Sequence, residues 1–257
     1  MLPAYFNRPG LPKLAYHRLA AAGEGEKLPA LIFMGGFRSD MEGTKALYLE
    51  ERCRARRQAY VRFDYTGHGS SGGVFEECTL STWLEDSLAV IDTLTAGPVI
   101  LAGSSMGGWL ALLAALARPE RVTGLLGIAA APDFTREFRD ALLDEAARAA
   151  LARDGFVKVP SDYSAEPYVI TGALIEDGEK HCLLDRGIDL SIPVRLIQGM
   201  KDTDVAWQTA PRIKNAFRNG GGNVEIRLIE NGDHRLSRPE DLALIDKTAQ
   251  TLCGIGT

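Results

Sequence analysis

The chain has 257 residues, of which 46% are hydrophobic and 25% charged, enough to bury a full core as one large α/β domain, or a core with an insertion, without disulfide or metal staples. Its formal net charge of -5 argues against a nucleic-acid binder, whose electrostatic footprint is basic. No apolar run approaches the roughly 20 residues that span a bilayer, which excludes an integral membrane protein built on long helices.

In chain order, the apolar run Ala30 to Met34 reads as a strand and Met41 to Arg57 as a helix, whose arginines Arg52, Arg54, Arg56 and Arg57 read as a solvated face. Ala59 to Phe63 reads as a strand, Leu80 to Leu94 as a helix, Val99 to Ala102 as a strand, Trp109 to Arg118 as a helix and Val122 to Ala129 as a strand. After a gap come a strand at Val194 to Gln198, a helix at Trp207 to Asn219, a turn at Gly220 to Gly222, a strand at Val224 to Ile229 and a helix at Pro239 to Cys253. Continuous apolar strands alternating with helices predict a mostly parallel central sheet with helices on both faces.

The gap, about sixty residues, is too long for a bare loop. Phe134 to Arg153 predicts a charged amphipathic helix, and Gly155 to Asp189 is mixed, with Pro160, Pro167, Tyr163 and Tyr168. Residues 132–192 are therefore expected to form a small inserted cap, with the core made of residues 1–131 and 193–257. Cys53, Cys78, Cys182 and Cys253 form no Cys-x-x-Cys pair, nothing at the amino terminus reads as a signal peptide, and Met1 lies about a dozen residues before the first strand-like segment. Free thiols, a reducing compartment and a cytoplasmic location are the expectation.

Gly103-Ser104-Ser105-Met106-Gly107 joins a strand-like run to a helix-like one, the context in which Gly-x-Ser-x-Gly forms a nucleophile elbow presenting Ser105. Serine is a poor nucleophile without a base, and the base needs an acid to fix its tautomer. His234, in the loop after the last strand, can return to the serine or stand as a surface loop histidine. His68 precedes the serine, against the order serine, acid, histidine, while His17 and His181 read as structural or solvent-facing. Asp202, at the end of the strand Val194 to Gln198, is the preferred acid, Asp204 is the alternative, and Asp233 is too near His234 to orient it. Oxyanion donors would be the backbone N–H groups of Met106 and of Phe37 in Gly35-Gly36-Phe37. Phe37, Trp109 and Trp207 suggest an acyl pocket, although aromatic residues also serve as plain core.

With Ser105, Asp202 and His234 in that order, the chain resembles the α/β-hydrolase superfamily over essentially its whole length. Within it, the chain resembles the mitochondrial palmitoyl-protein thioesterases, also known as mycophenolic acid acyl-glucuronide esterases, of the abhydrolase-domain family. The likeness is carried by Gly36-Phe37-Arg38-Ser39-Asp40-Met41, Gly43-Thr44-Lys45-Ala46-Leu47, Arg62-Phe63-Asp64-Tyr65, Gly103 to Leu110, His181-Cys182-Leu183-Leu184, Gly199-Met200-Lys201-Asp202 and Asp233-His234-Arg235. The family's usual His-Gly before the oxyanion loop is Gly35-Gly36 here, and its usual proline in the acid loop is Ala206.

The resemblance implies Ser105 as nucleophile, Asp202 as acid, His234 as base, Phe37 and Met106 as oxyanion donors, and hydrolysis of esters or thioesters through an acyl-enzyme. The expected substrate is a small-molecule ester or an acylated thiol, and no metal or organic cofactor is called for, because serine, imidazole and oxyanion hole cover proton transfer and charge. Ser105 at the elbow excludes the carboxylate-nucleophile chemistry of haloalkane dehalogenases and epoxide hydrolases. A peptidase anchoring a substrate amine through Glu166 or Glu176, or a silent hydrolase-fold binding protein, are the alternatives.

Overall fold

A computed structural model describes residues 2–142, 144–160, 167–218 and 223–255. Strands β1 (Ala4–Arg8) and β2 (Leu11–Leu19) form an antiparallel hairpin. Then follow β3 (Ala30–Met34), α1 (Thr44–Ala55), β4 (Tyr60–Phe63), α2 (Leu80–Leu94), β5 (Val99–Ser104), α3 (Met106–Ala117) and β6 (Val122–Ile128). After the long insertion come β9 (Val194–Gly199), α7 (Thr209–Ala216), β10 (Val224–Ile229) and α8 (Pro239–Leu252). They build one eight-stranded sheet in the order β1-β2-β4-β3-β5-β6-β9-β10, in which every pairing from β4 to β10 is parallel.

Period-two side-chain alternation explains why these strands read as unbroken apolar runs. In β3, Ile32 and Met34 pack with α2 and α3 on one face, whereas Leu31 and Phe33 pack with α1 and α8 on the other. In β5, Val99 and Leu101 join the first cluster and Ile100 and Ala102 the second. A sheet buried on both faces leaves its strand ends as the place where polar chemistry can reach solvent.

Between β6 and β9 the expected single helix over Phe134 to Arg153 is divided. A short helix α4 (Phe134–Glu137) runs into a π-helical turn (Phe138–Leu142), and α5 (Glu145–Asp154) starts afresh. Asp144 supplies the break, because its carboxylate accepts from Ala147 N–H at 2.7 Å and so begins a new helix. A hairpin of β7 (Phe156–Val159) and β8 (Tyr168–Thr171) and the helix α6 (Gly172–Lys180) complete the insertion. Tyr163, Glu166 and the turn at Gly220 to Gly222 lie outside the described residues. All four cysteines are buried and unpaired, and no helix of the described residues is long and apolar enough to cross a membrane.

Candidate active site

Ser105 sits between β5 and α3 with φ 56° and ψ -121°, a conformation that costs a β-carbon-bearing residue free energy and persists only where its surroundings enforce it. The enforcement is visible. Ser105 N–H donates to Ile128 O at 3.0 Å, and Ser105 O accepts from Gly108 N–H at 2.9 Å and Ala131 N–H at 3.1 Å. A Cβ on Gly103 would lie 2.2 Å from Gly107 O, and one on Gly107 would lie 2.1 Å from Met34 O. Both glycines are therefore required, since backbone meets backbone at each.

Asp202 follows β9 and His234 follows β10, neighbouring parallel strands in register through Ile229 opposite Gly199. Their loops are tied together by Met200 N–H to Ile229 O and Lys201 N–H to Gly232 O, each 2.9 Å. The Lys45 ammonium, at the start of α1, donates to Arg235 O and pins the histidine loop from its other side. Burial pushes this ammonium down to about 8. Phe37 follows β3, and Ser105 follows β5, so these two residues and the Asp202–His234 pair emerge from the carboxyl ends of parallel strands, the crevice where open α/β sheets bind ligands.

His234 Nδ1 lies 2.9 Å from Asp202 Oδ2. A carboxylate only accepts, so Nδ1 is the donor of this bond, which in the neutral ring leaves the lone pair on Nε2. Asp202, its side chain 0% exposed, engages four donors. Its Oδ2 also accepts from Gln198 Nε2 at 2.8 Å, and its Oδ1 accepts from the N–H groups of Asp204 at 2.9 Å and Val205 at 2.8 Å. Burial pushes the Asp202 carboxyl up, but the His234 and backbone hydrogen bonds outweigh it and hold the group below the usual carboxylate range. Asp204, the alternative acid, is on the other side of the ring, with Oδ2 4.0 Å from His234 Nε2. Asp202, Asp204 and His234 bring ligand-type atoms within 4.8 Å of one another, yet Asp202 already commits both oxygens to N–H donors, as an acid that orients a histidine does.

Above Ser105 is a cavity of about 190 Å³. Phe37, Phe134, Phe138 and Tyr168 form an aromatic wall, Val159 and Ile170 come from the insertion's hairpin, and Met106, Ala131 and Val205 add apolar lining from the core. Phe37 holds the wall together, with ring centroids 5.0 Å from Phe75, 5.7 Å from Phe134 and 5.8 Å from Tyr168, all edge to face.

The two tryptophans expected to contact substrate are not among the described lining residues. Trp109 is 0% exposed, donates its indole N–H to His181 O at 3.1 Å and packs on Phe134. One helical turn beyond the elbow, it points into the layer between α3 and the insertion. Trp207 is half-buried at the approach to α7. Glu176 is exposed on α6 and is not a described lining residue.

The remaining histidines have other work. His68 is enclosed by Tyr65, Phe75 and Trp83, and burial pushes it down to about 4. His181 Nε2 lies 2.7 Å from Ser81 Oγ, which also donates to Asp177 at 2.9 Å, joining α6 to the start of α2. His17 faces Glu42 at 3.3 Å. Sequence reasoning missed Gln198, 1% exposed, whose amide also donates to Val205 O at 3.2 Å and so braces the acid loop. Its signal was an amide at the carboxyl end of a strand, just before the acid loop.

The profile of the alpha/beta hydrolase family matches residues 34–243, from the last residue of β3 into α8. The chain belongs to the alpha/beta hydrolase family. It is 42% identical over 251 residues to the mitochondrial palmitoyl-protein thioesterase ABHD10 of Bos taurus, covering 97% of this chain and 79% of that one. The structure of mouse alpha/beta hydrolase domain-containing protein 10 superposes with a TM-score of 0.87 at 39% identity, covering 97% of both chains. A putative hydrolase from Agrobacterium vitis gives 0.91 at 38% identity, covering 98% of this chain and 97% of that one. The thioesterase relatives are mitochondrial by name, which overturns the expectation of a cytoplasmic hydrolase.

Proposed function

We propose that this alpha/beta hydrolase cleaves carboxylic esters and thioesters, with Ser105 as nucleophile, His234 as base and Asp202 as the acid that orients it. The observation that carries the reading is the strained Ser105 at the floor of an apolar cavity, beside the loops that hold the Asp202–His234 pair. The family relatives named palmitoyl-protein thioesterases support an acyl group bound through sulfur. His234 Nε2 takes the Ser105 proton as Oγ attacks the acyl carbonyl. The resulting oxyanion is met by Phe37 N–H and by Met106 N–H, which as the first residue of α3 has no intrahelical acceptor. His234 then protonates the leaving sulfur or oxygen, and water repeats the sequence to release the acid.

Residues 132–192 act as a cap in this reading, since α4, β7 and β8 supply the wall against which the acyl group packs. A dry cavity of roughly 150 Å³ takes a benzene molecule, so about 190 Å³ suits a compact acyl group, with longer chains reaching out through the mouth. The test is hydrolysis of matched p-nitrophenyl esters and acyl thioesters, from acetyl to palmitoyl, by wild type and Ser105→Ala. Turnover that vanishes in Ser105→Ala, with kcat/KM rising steeply over the short acyl groups and flattening once the cavity is full, is the expected result. Equal turnover by the two proteins sinks the assignment.

A further inference from the structure

Among the described residues that line the cavity, Asp204 alone carries a charge, and every other contributor except Ser105 and the Tyr168 hydroxyl is apolar. Its placement is fixed from two directions. Its own N–H donates to Asp202 Oδ1 at 2.9 Å, and its carboxylate lies 4.0 Å from His234 Nε2. Nε2 is the atom that returns a proton to the departing group in an acyl transfer, so the leaving group passes beside it. A carboxylate 4.0 Å from that atom therefore stands near the path of the leaving group, on a cavity whose remaining described lining is mostly apolar.

We propose that Asp204 is a specificity-determining residue that selects leaving groups by charge, favouring cationic or neutral thiols and alcohols and rejecting anionic ones. The inference rests on the acyl-transfer reading given above. In that reaction the bond from Ser105 Oγ to the acyl carbon forms and the bond from that carbon to the leaving sulfur or oxygen breaks. The proton lost by Ser105 is delivered through His234 to the leaving atom. A positive charge on the departing thiol is attracted to Asp204 throughout, and a carboxylate or phosphate is repelled. The Asp204 side chain is 34% exposed, so solvent weakens the effect without abolishing it. The favoured substrate class is thus an acylated thiol in a basic or neutral setting, such as a cysteine of a Lys- or Arg-bearing protein segment. Polyanionic thioester carriers are disfavoured.

The experiment compares three octanoyl thioesters that share one acyl group: thiocholine (cationic), 2-mercaptoethanol (neutral) and 3-mercaptopropionate (anionic). Free thiol is followed for wild type, Asp204→Asn and Ser105→Ala. Wild type should prefer the thiocholine ester to the mercaptopropionate ester in kcat/KM, and Asp204→Asn should compress that ratio roughly tenfold, whatever its absolute rates. In wild type, salt near 1 M, where the Debye length is about 3 Å, should compress the ratio as well, a check that needs no variant to fold. A ratio that Asp204→Asn leaves within twofold of wild type, or that salt does not move, overturns the charge filter while Ser105-dependent hydrolysis of the neutral ester still stands. No serine-dependent turnover of any of the three removes the acyl-transfer reading and the filter together.

Discussion

Replacing Asp202 by asparagine changes one atom in a site where four donors converge, and the outcome can be worked out from their positions. The carboxylate accepts from His234 Nδ1 and Gln198 Nε2 on Oδ2 and from Asp204 and Val205 N–H on Oδ1. An asparagine has one acceptor oxygen and one NH₂ group, so one pair of donors must face a donor. Turning the oxygen toward His234 would leave two backbone N–H groups confronting the amide, at about 1–3 kcal/mol for each one buried and unsatisfied. Turning it toward the backbone keeps those bonds and presents NH₂ to His234. The imidazole then adapts by moving its proton to Nε2, the nitrogen that must accept from Ser105. The second arrangement should win, and with it the wrong tautomer, which in the trypsin triad lowers kcat by about 10⁴. We expect a fall of that order for Asp202→Asn with an intact fold, read from p-nitrophenyl ester kinetics beside a thermal melt. A folded Asp202→Asn enzyme with kcat within tenfold of wild type would refute the assignment of Asp202 as the orienting acid.

Three further outcomes follow from the same geometry. Because the Asp202 carboxyl is held below its usual range, its bonds stabilise the folded state above the unfolded value of about 3.9 and are lost as pH falls through the folded value. The gap in urea midpoint between wild type and Asp202→Asn should therefore close in acid, and a gap that stays constant down to pH 3 contradicts this. Lys45 shifts the other way: lowered to about 8 by burial, it binds fewer protons folded than unfolded between there and its reference value, so stability contributed at this site rises with pH over that interval. Lys45→Met should lack that rise, measured by urea unfolding at pH 7, 8.5 and 10, and should lower kcat by loosening the loop that Lys45 ties at Arg235 O. Gly107→Ala places a Cβ 2.1 Å from Met34 O and must displace the end of β3 or the elbow. It should either fail to fold or lose at least about 10²-fold in labelling by a fluorophosphonate probe, comparable to losing one oxyanion donor, and normal labelling would show that the elbow yields more easily than its packing implies.

Much of the core was legible because its central strands are buried on both faces, which writes an unbroken apolar run into the sequence at β3 and Val99 to Ala102 of β5 and a mostly apolar one at β6 and β9. The helix ends moved by a few residues where caps decide them: α3 begins at Met106, inside the elbow itself, and α1 begins at Thr44 after Gly43 in extended backbone. The insertion was harder to read. Glu145 to Asp154 has no fully buried side chain and turns only Ala147, Ala150 and Leu151 toward the insertion's small cluster, and the one sharp local mark, the Asp144 cap, lies inside what looks like a single charged helix. The β7–β8 hairpin is two strands of four residues, too short for alternation to stand out from the surrounding prolines and aromatics.

The site divides along a similar line. Ser105 is announced by chain-local chemistry, two glycines that the backbone cannot do without, and Asp202 and His234 by falling just after strands whose direction the alternation already implied. Asp204 was marked only as a second candidate acid in the same loop, and Gln198 not at all, because what each does depends on which atoms the fold brings near it: His234 Nε2 for one, the Asp202 carboxylate for the other. Trp109 shows the converse, a residue placed by sequence beside the nucleophile and by helical geometry one turn below it, in the core. Adjacency along the chain therefore identifies the residues that make the elbow and the acid loop. The charge that faces a leaving group is set by the packing of the β9 and β10 loops against each other, and it can change by substitution at Asp204 without altering any motif that marks the family.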